Sequence, residues 1–214
     1  LLHYNWHWFW HWGTGEALNN GVHMVDLARW GLGVDYPKKV TSFGGRYCFK
    51  DDWETPDTQI INLDFGSKGV ISWEGRSCNP APIEGATTGV IFYGDKGSLM
   101  IDAGNSYKII DNNKNIIKDV KHTENIDATN LQNPSEILDA GHIINFFNGI
   151  RKIEKLHSPI NEGHISTLLV QLGNISVRTG STLHINPANG HILNNAAANK
   201  LWSRQYQPGW EVKV

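Results

Sequence analysis

Residues 5–15 read NWHWFWHWGTG, with Trp6, Trp8, Trp10 and Trp12 at every second position and His7, Phe9 and His11 between them. Indole faces stack on the apolar C–H faces of sugar rings and attract cations, so some of these rings are candidates to line a pocket. The alternative use is aromatic bulk buried against a core. His7 and His11 make a poor metal pair, because on a strand their Cα atoms lie about 13 Å apart, and no helical His-Glu-x-x-His context surrounds them. His23 and Asp26 are three residues apart in a segment with helical spacing, so they share a face. Other constellations fail. Gly13-x-Gly15 opens like a dinucleotide loop, but Leu18 stands where a third glycine belongs and no βαβ unit follows. The run GDKGS at 94–98 is too short to cradle a phosphate, and no nucleophile-elbow pattern is present. No metal site is expected.

These residues need elements to hold them. The strict alternation of residues 5–12 predicts a strand with the four Trp on one face. The stretch NNGVHMVDLARWGLG predicts a helix, capped by Asn19 or Asn20 and ended by Gly31 or Gly33. Between 40 and 110 the period falls to two. Ile61, Leu63 and Phe65 share one face of QIINLDF, while Ile60, Asn62 and Asp64 share the other. VISWEGR follows a GSKG turn, with Ile71 and Trp73 opposite Ser72, Glu74 and Arg76. VIFYGDKGSLMID and YKIIDNNKNIIKDV read as two further hairpins. The last third returns to helices. One starts at NPSE (133–136) with a stripe of Ile137, Ala140, Ile144 and Phe147. A second runs from SPINEGH to Gly180 with a stripe of Ile165, Leu168, Leu172 and Ile175. A short third covers NAAANKLWSR. The expectation is a single α+β domain over 1–214, a large, mostly antiparallel open-faced sheet with helices on one face.

Composition narrows the function. The chain has 214 residues and a formal net charge of −2, with no basic run longer than two residues, so nucleic acid is not an expected partner. No apolar stretch approaches the length of a membrane span. Cys48 and Cys78 are too few for a disulfide framework or a zinc site; both are expected as buried free thiols in strands. The opening residues lack an initiator Met and a charged leader and read as the inside of a strand. A fragment of a longer protein is therefore expected, with its compartment, cytoplasm or periplasm, not set by these residues.

GTGEALNNGVHMVDLARWGLG resembles the substrate domain of the Gfo/Idh/MocA oxidoreductases. In the same order, so do ETPDTQIINLDF, VISWEGR, FYGDKGSLMID, HIINFFNGIRK, INEGHISTLLVQLGNISVRTG and ANKLWSRQYQPGW. The resemblance covers nearly the whole chain and is nearest a Bacteroidetes-like branch. It implies a dihydrodipicolinate-reductase-like C-terminal domain whose partner, a Rossmann domain binding NAD or NADP, is absent from this chain; this chain itself holds no cofactor. The resemblance also implies a catalytic pair on the helix, an Asp and a His four residues on, about 6 Å apart at Cβ. The His maps onto His23. The Asp position holds Asn19, which can orient an imidazole or bind a hydroxyl but cannot balance an imidazolium charge. Trp10 and Trp12, nearest the helix, become candidate sugar-stacking walls, and Trp6 and Trp8 core or interface. Asn20, Asp26 and Arg76 complete the candidate substrate contacts.

By the resemblance, the chain is the substrate-binding and oligomerisation half of an NAD(P)-dependent sugar or polyol oxidoreductase. The alternatives are part of an NAD-dependent glycoside hydrolase of the same fold, or a non-catalytic sugar-binding module. A homodimer or homotetramer through the open sheet face is expected, because Ile60 and Val70 sit there among polar residues.

Overall fold

The computed structural model describes residues 3–103, 106–121 and 136–212, with the side chains of 136–139 left aside. The chain falls into two compact units, residues 1–87 with 164–214, and residues 88–163.

The first unit is built on a five-stranded sheet. Its strands are β1 (Lys39–Gly45), β2 (Thr58–Asp64) and β3 (Val70–Arg76), with the short strands labelled β8 (Leu183–Ile185) and β9 (Ile192–Leu193) in chain order. They lie in the order β3-β2-β1-β8-β9, all neighbours antiparallel. The predicted alternation is realised: Ile61 pairs with Trp73 and Ser42, and Leu63 with Ile71 and Val40. Val40, Ile61, Leu63 and Leu183 are fully buried on that face.

Helix α3 (Ile160–Thr179) supplies Leu168, Leu169, Leu172 and Ile175 to the core. Its Ser166, Leu168, Leu172 and Ile175 are buried as a continuous stripe, with Ile165 half-buried at its edge. Polar ties fix the register. Ser42 N–H donates to Ser176 Oγ at 3.0 Å, and Gln59 Nε2 to Asn174 Oδ1 at 3.3 Å. Gly173 is required by close approach, since a Cβ there would lie 2.7 Å from Ile61 Cγ1. The opposite face carries Phe43, Ile60 and Val70, exposed among Thr41, Asn62, Asp64, Ser72 and Glu74. A short helix, α4 (Ala196–Asn199), is capped by Asn195, whose side chain accepts from Ala198 N–H.

The second unit holds β4 (Gly89–Gly94), β5 (Gly97–Asp102), β6 (Tyr107–Asp111) and β7 (Ile116–Val120), a four-stranded antiparallel meander. The hairpins therefore form where the turns predict them, but the strands divide between two sheets. Helix α2 (Glu136–Ile150) belongs to this unit. Its predicted cap at 133–135 and the side chain of Ile137 lie outside the described residues. Its predicted stripe is corrected. Ala140, Ile144 and Phe147 are exposed, and among the described side chains of the helix the buried one is Asn145. Asn145 is satisfied by the loop that follows: its amide donates to Glu154 and to Lys155 O, and its carbonyl accepts from His157 N–H. A polar residue with every valence filled can be buried, and spacing alone does not reveal it.

The Trp segment is also corrected. It is no strand but a 3-10 helix, Asn5–Trp8, followed by turns to residue 12. Phe9 N–H reaches Trp6 O, and Trp12 and Gly13 N–H both reach Phe9 O. The chain recoils so tightly that a Cβ on Gly13 would run into the His7 backbone. Ring stacking replaces ladder pairing, with Trp6 on His7 at 3.8 Å between centroids and Trp8 on Trp53 at 4.5 Å. Neither cysteine lies in a strand: Cys48 is exposed and Cys78 half-buried, both as free thiols.

Candidate functional site

The helix bearing His23 begins earlier than its amides suggest. A helical turn at 15–16 leads into a single π-helical turn, Ala17–Gly21, and then α1 (Val22–Leu32). Asn19 and Asn20 are thus inside the helix, not caps. Gly33 ends it in the left-handed conformation, φ 65°, as predicted. One-turn π-bulges widen a helix locally and recur at functional sites. Here the bulge seats Gly21 on the Trp73 indole, where a Cβ would come within 2.7 Å of the ring.

On the outer side of this turn, Glu16 accepts from Asn20 Nδ2 at 2.6 Å and from Asn19 Nδ2 at 3.4 Å. His23 follows, exposed, with no partner for its ring among the described residues. Asp26, a turn further on, is engaged: Ser166 Oγ donates to it, and the Arg29 guanidinium lies 4.0 Å away. Arg29 is itself buried and also pairs with Asp35 at 3.1 Å, so this cluster ties α1 to α3.

The entry to the helix is held by the loop of residues 46–57 between β1 and β2. Asp57 organises that loop. Its carboxylate is fully buried and accepts from the backbone N–H of Tyr47, Cys48 and Phe49 and from Thr58 Oγ1. Burial alone, the largest single effect, pushes this carboxyl up, but the donors together outweigh it and hold it below its ordinary value. The ordered loop then grips the Trp segment. Glu54 and Thr55 N–H both donate to Trp8 O, Glu54 Oε2 accepts from Trp10 N–H at 2.8 Å, and Trp53 stacks on Trp8.

The other predicted contacts disperse. Of the two rings expected in core or interface, Trp8 is buried and Trp6 is nearly half exposed. Trp10 is half-buried with the Arg178 guanidinium 4.7 Å from its ring centroid, so one face is already occupied. Trp12 is about half exposed and meets Phe9 edge-on, while Arg204 donates to the carbonyls of His11 and Trp12. Arg76 pairs with Glu74 at 2.9 Å and donates to Ala81 O. It projects from the uncovered face of β3, opposite the Trp73 face on which the π turn rests.

A recess of about 190 Å³ opens on that same uncovered face, lined by Lys39, Thr41, Asn62, Asp64 and Thr182. Gly66 N–H first, and then Lys39 at 3.5 Å, hold the Asp64 carboxyl below its usual value. No group of three metal-ligating side chains occurs among the described residues. Every strand pairing among them is antiparallel, which offers no βαβ cradle for a dinucleotide. No helix among them is long and apolar enough to cross a membrane.

Glu16 is the residue that spacing could have exposed, since it precedes Asn19 and Asn20 by three and four positions. Asp57, Glu54, Arg178 and Arg204 act through contacts far apart in sequence and left no local signal.

The fold is shared with solved structures, among them the following three. An oxidoreductase from Agrobacterium radiobacter, solved with NAD+, L-tartaric acid and magnesium, is 17% identical with a TM-score of 0.57, covering 77% of this chain and 47% of its own. The WlbA dehydrogenase from Bordetella pertussis, solved with NADH and UDP-GlcNAcA, is 16% identical with a TM-score of 0.54, covering 86% and 49%. The UDP-N-acetylglucosamine 3-dehydrogenase GnnA from Acidithiobacillus ferrooxidans is 13% identical with a TM-score of 0.54, covering 74% and 45%. This chain spans about half the length of each. No curated protein matches it. The profile of the oxidoreductase family, C-terminal alpha/beta domain, matches residues 2–185, and the chain belongs to that Gfo/Idh/MocA family.

Proposed function

We propose that residues 1–214 form the substrate-binding and oligomerisation domain of an NAD(P)-dependent sugar or polyol oxidoreductase, with His23 as its acid–base residue. The observation that carries this is the exposed His23 imidazole, unpaired among the described residues, following two amides on the π-bulged helix of a Gfo/Idh/MocA chain. A nicotinamide bound by a further domain of the complete protein would supply the hydride acceptor or donor. His23 takes the proton of the reacting hydroxyl during oxidation and returns it during reduction. Asn19 and Asn20 orient the hydroxyls. Trp12, half exposed, offers a ring face to the sugar; Trp10, with Arg178 on one face, has less to give.

Asp26 and Arg76 are engaged by Ser166 and Glu74, and a substrate reaching either would have to compete with those partners. The uncovered sheet face, with Phe43, Ile60 and Val70 exposed, is the surface through which two copies pair, burying more than roughly 1,000 Å².

The test is turnover of the complete gene product on a panel of sugars and polyols. His23→Ala is expected to lower kcat about 10²–10⁴-fold with folding intact, and an unchanged kcat would remove His23 from the chemistry. The neutral amide at Asn19 favours a second reading, a sugar-binding module without catalysis. Saturable sugar binding with no nicotinamide reduction by the complete protein would select it.

A further inference from the structure

The pair of hydrogen bonds from Asn19 and Asn20 to Glu16 has a directional consequence. An ionised carboxylate only accepts, so the amide edge facing Glu16 must be the NH₂ in both residues. Each amide is planar, so each carbonyl oxygen is turned away from Glu16. Neither oxygen has a donor among the described residues. The two amides occupy the same π turn, Ala17–Gly21, and each takes one oxygen of the carboxylate.

Resting on the reading of His23 above, we propose that Glu16 is a positioning residue: it locks Asn19 and Asn20 so that their two carbonyl oxygens form an acceptor pair for a neutral ligand that donates two hydroxyl protons, such as a vicinal diol. An anionic group at the same place would face two carbonyl oxygens and the Glu16 charge. The arrangement also accounts for an amide where the family resemblance places an Asp. A carboxylate at position 19 would stand where Nδ2 now stands, 3.4 Å from Glu16 Oε2, and like charges that close raise the proton affinity of one of the two carboxyls.

The test uses E16Q, E16D and N19D in the complete gene product. Gln can present either its oxygen or its nitrogen to Asn19, so E16Q no longer dictates the amide direction. It is expected to lower kcat on a neutral polyol about ten- to a hundredfold through misplacement, with the thermal midpoint unchanged. E16D, still acceptor-only, recovers part of that loss. In N19D, with isotope-labelled aspartate followed by NMR, the introduced carboxyl is expected to titrate well above the ordinary Asp range and to return to it in E16Q/N19D. That titration needs no turnover. Wild-type kcat in E16Q, or an introduced carboxyl that titrates normally beside Glu16, overturns the proposal. If His23→Ala abolishes turnover while E16Q keeps it, Glu16 falls and the acid–base role of His23 stands. If His23→Ala changes nothing, both fall.

Discussion

Asp57→Asn replaces a buried acceptor-only group with one that has a single acceptor atom. Asp57 Oδ2 accepts from Tyr47, Cys48 and Phe49 N–H at 3.0–3.3 Å, and Oδ1 from Tyr47 N–H and Thr58 Oγ1 at 3.0–3.1 Å. The amide keeps its oxygen at one of these positions and sets an NH₂ at the other, where Tyr47 N–H opposes it. Hydrogen bonds to a charged group contribute about 1.5–3 kcal/mol each and neutral ones about 0.5–1.5. Downgrading two or three bonds therefore costs about 3 kcal/mol. For a chain of this size that lowers the unfolding midpoint by about 6–12 °C.

The pH dependence has a definite sign. Because the folded carboxyl lies below its ordinary value of 3.8, Asp57 stabilises the fold fully above that value. The contribution is lost as pH falls through the folded value. The gap between wild type and Asp57→Asn should be widest near neutrality and close in acid. Thermal unfolding followed by circular dichroism across that range measures it. Trp fluorescence should shift as well, because the loop that Asp57 orders holds Trp53 against Trp8. An unchanged midpoint at neutral pH, or a gap that persists undiminished in acid, would refute the account of Asp57 as an ionised anchor.

Gly173→Ala should destabilise the first unit, because overpacking costs about 1–3 kcal/mol and exceeds the roughly 1 kcal/mol gained in helix propensity. Ile61→Ala, which removes Cγ1, Cγ2 and Cδ1, should also destabilise alone, yet it should cost less in the Gly173→Ala background by making room, and fully additive losses would show that the contact with Ile61 is not limiting. The neighbouring Cys78 thiol, first of all, holds Cys48 above the ordinary thiol value, ahead of desolvation and the Asp57 charge, with Arg46 opposing. Iodoacetamide should therefore label it slowly near neutral pH despite its exposure, and faster in C78S; labelling at the free-thiol rate in wild type would show that Cys78 exerts no hold on it.

The sheet strands were legible because burial on one face and exposure on the other impose a period of two. Ile61, Leu63 and Ile71 are buried while Ile60, Asn62 and Val70 alternate outward, and hairpin turns fixed the register. Helix α3 was legible for the corresponding reason at helical spacing. The Trp segment obeyed the same arithmetic and still misled. Alternation identifies a strand only if a partner strand pairs with it, and residues 5–12 instead fold back on themselves and meet the loop around Trp53. Nothing in NWHWFWHW states that its partner lies more than 40 positions away. Asn145 misled in the opposite sense: its burial depends on Glu154, Lys155 and His157 supplying its bonds, so apolar spacing named the wrong face of α2.

The same distinction divides the site. Helical spacing alone places Glu16, Asn19, Asn20 and His23 along one stretch of helix. The commitment of Asp26 to Ser166, of Trp10 to Arg178 and of Arg76 to Glu74 and Ala81 depends on the folded chain. Three of those groups had looked available because a sequence shows a side chain's type and not its prior engagements. A carboxylate or guanidinium with a partner must exchange that partner for a ligand, and the net gain is the difference between two similar interactions. His23 and the carbonyl oxygens of Asn19 and Asn20 have no such partner to give up among the described residues. On the function proposed above, a hydroxyl-bearing ligand displaces no described side chain there. On that reading, the first contacts of such a ligand are therefore expected at the π turn rather than along the Trp segment, which the loop around Trp53 already holds.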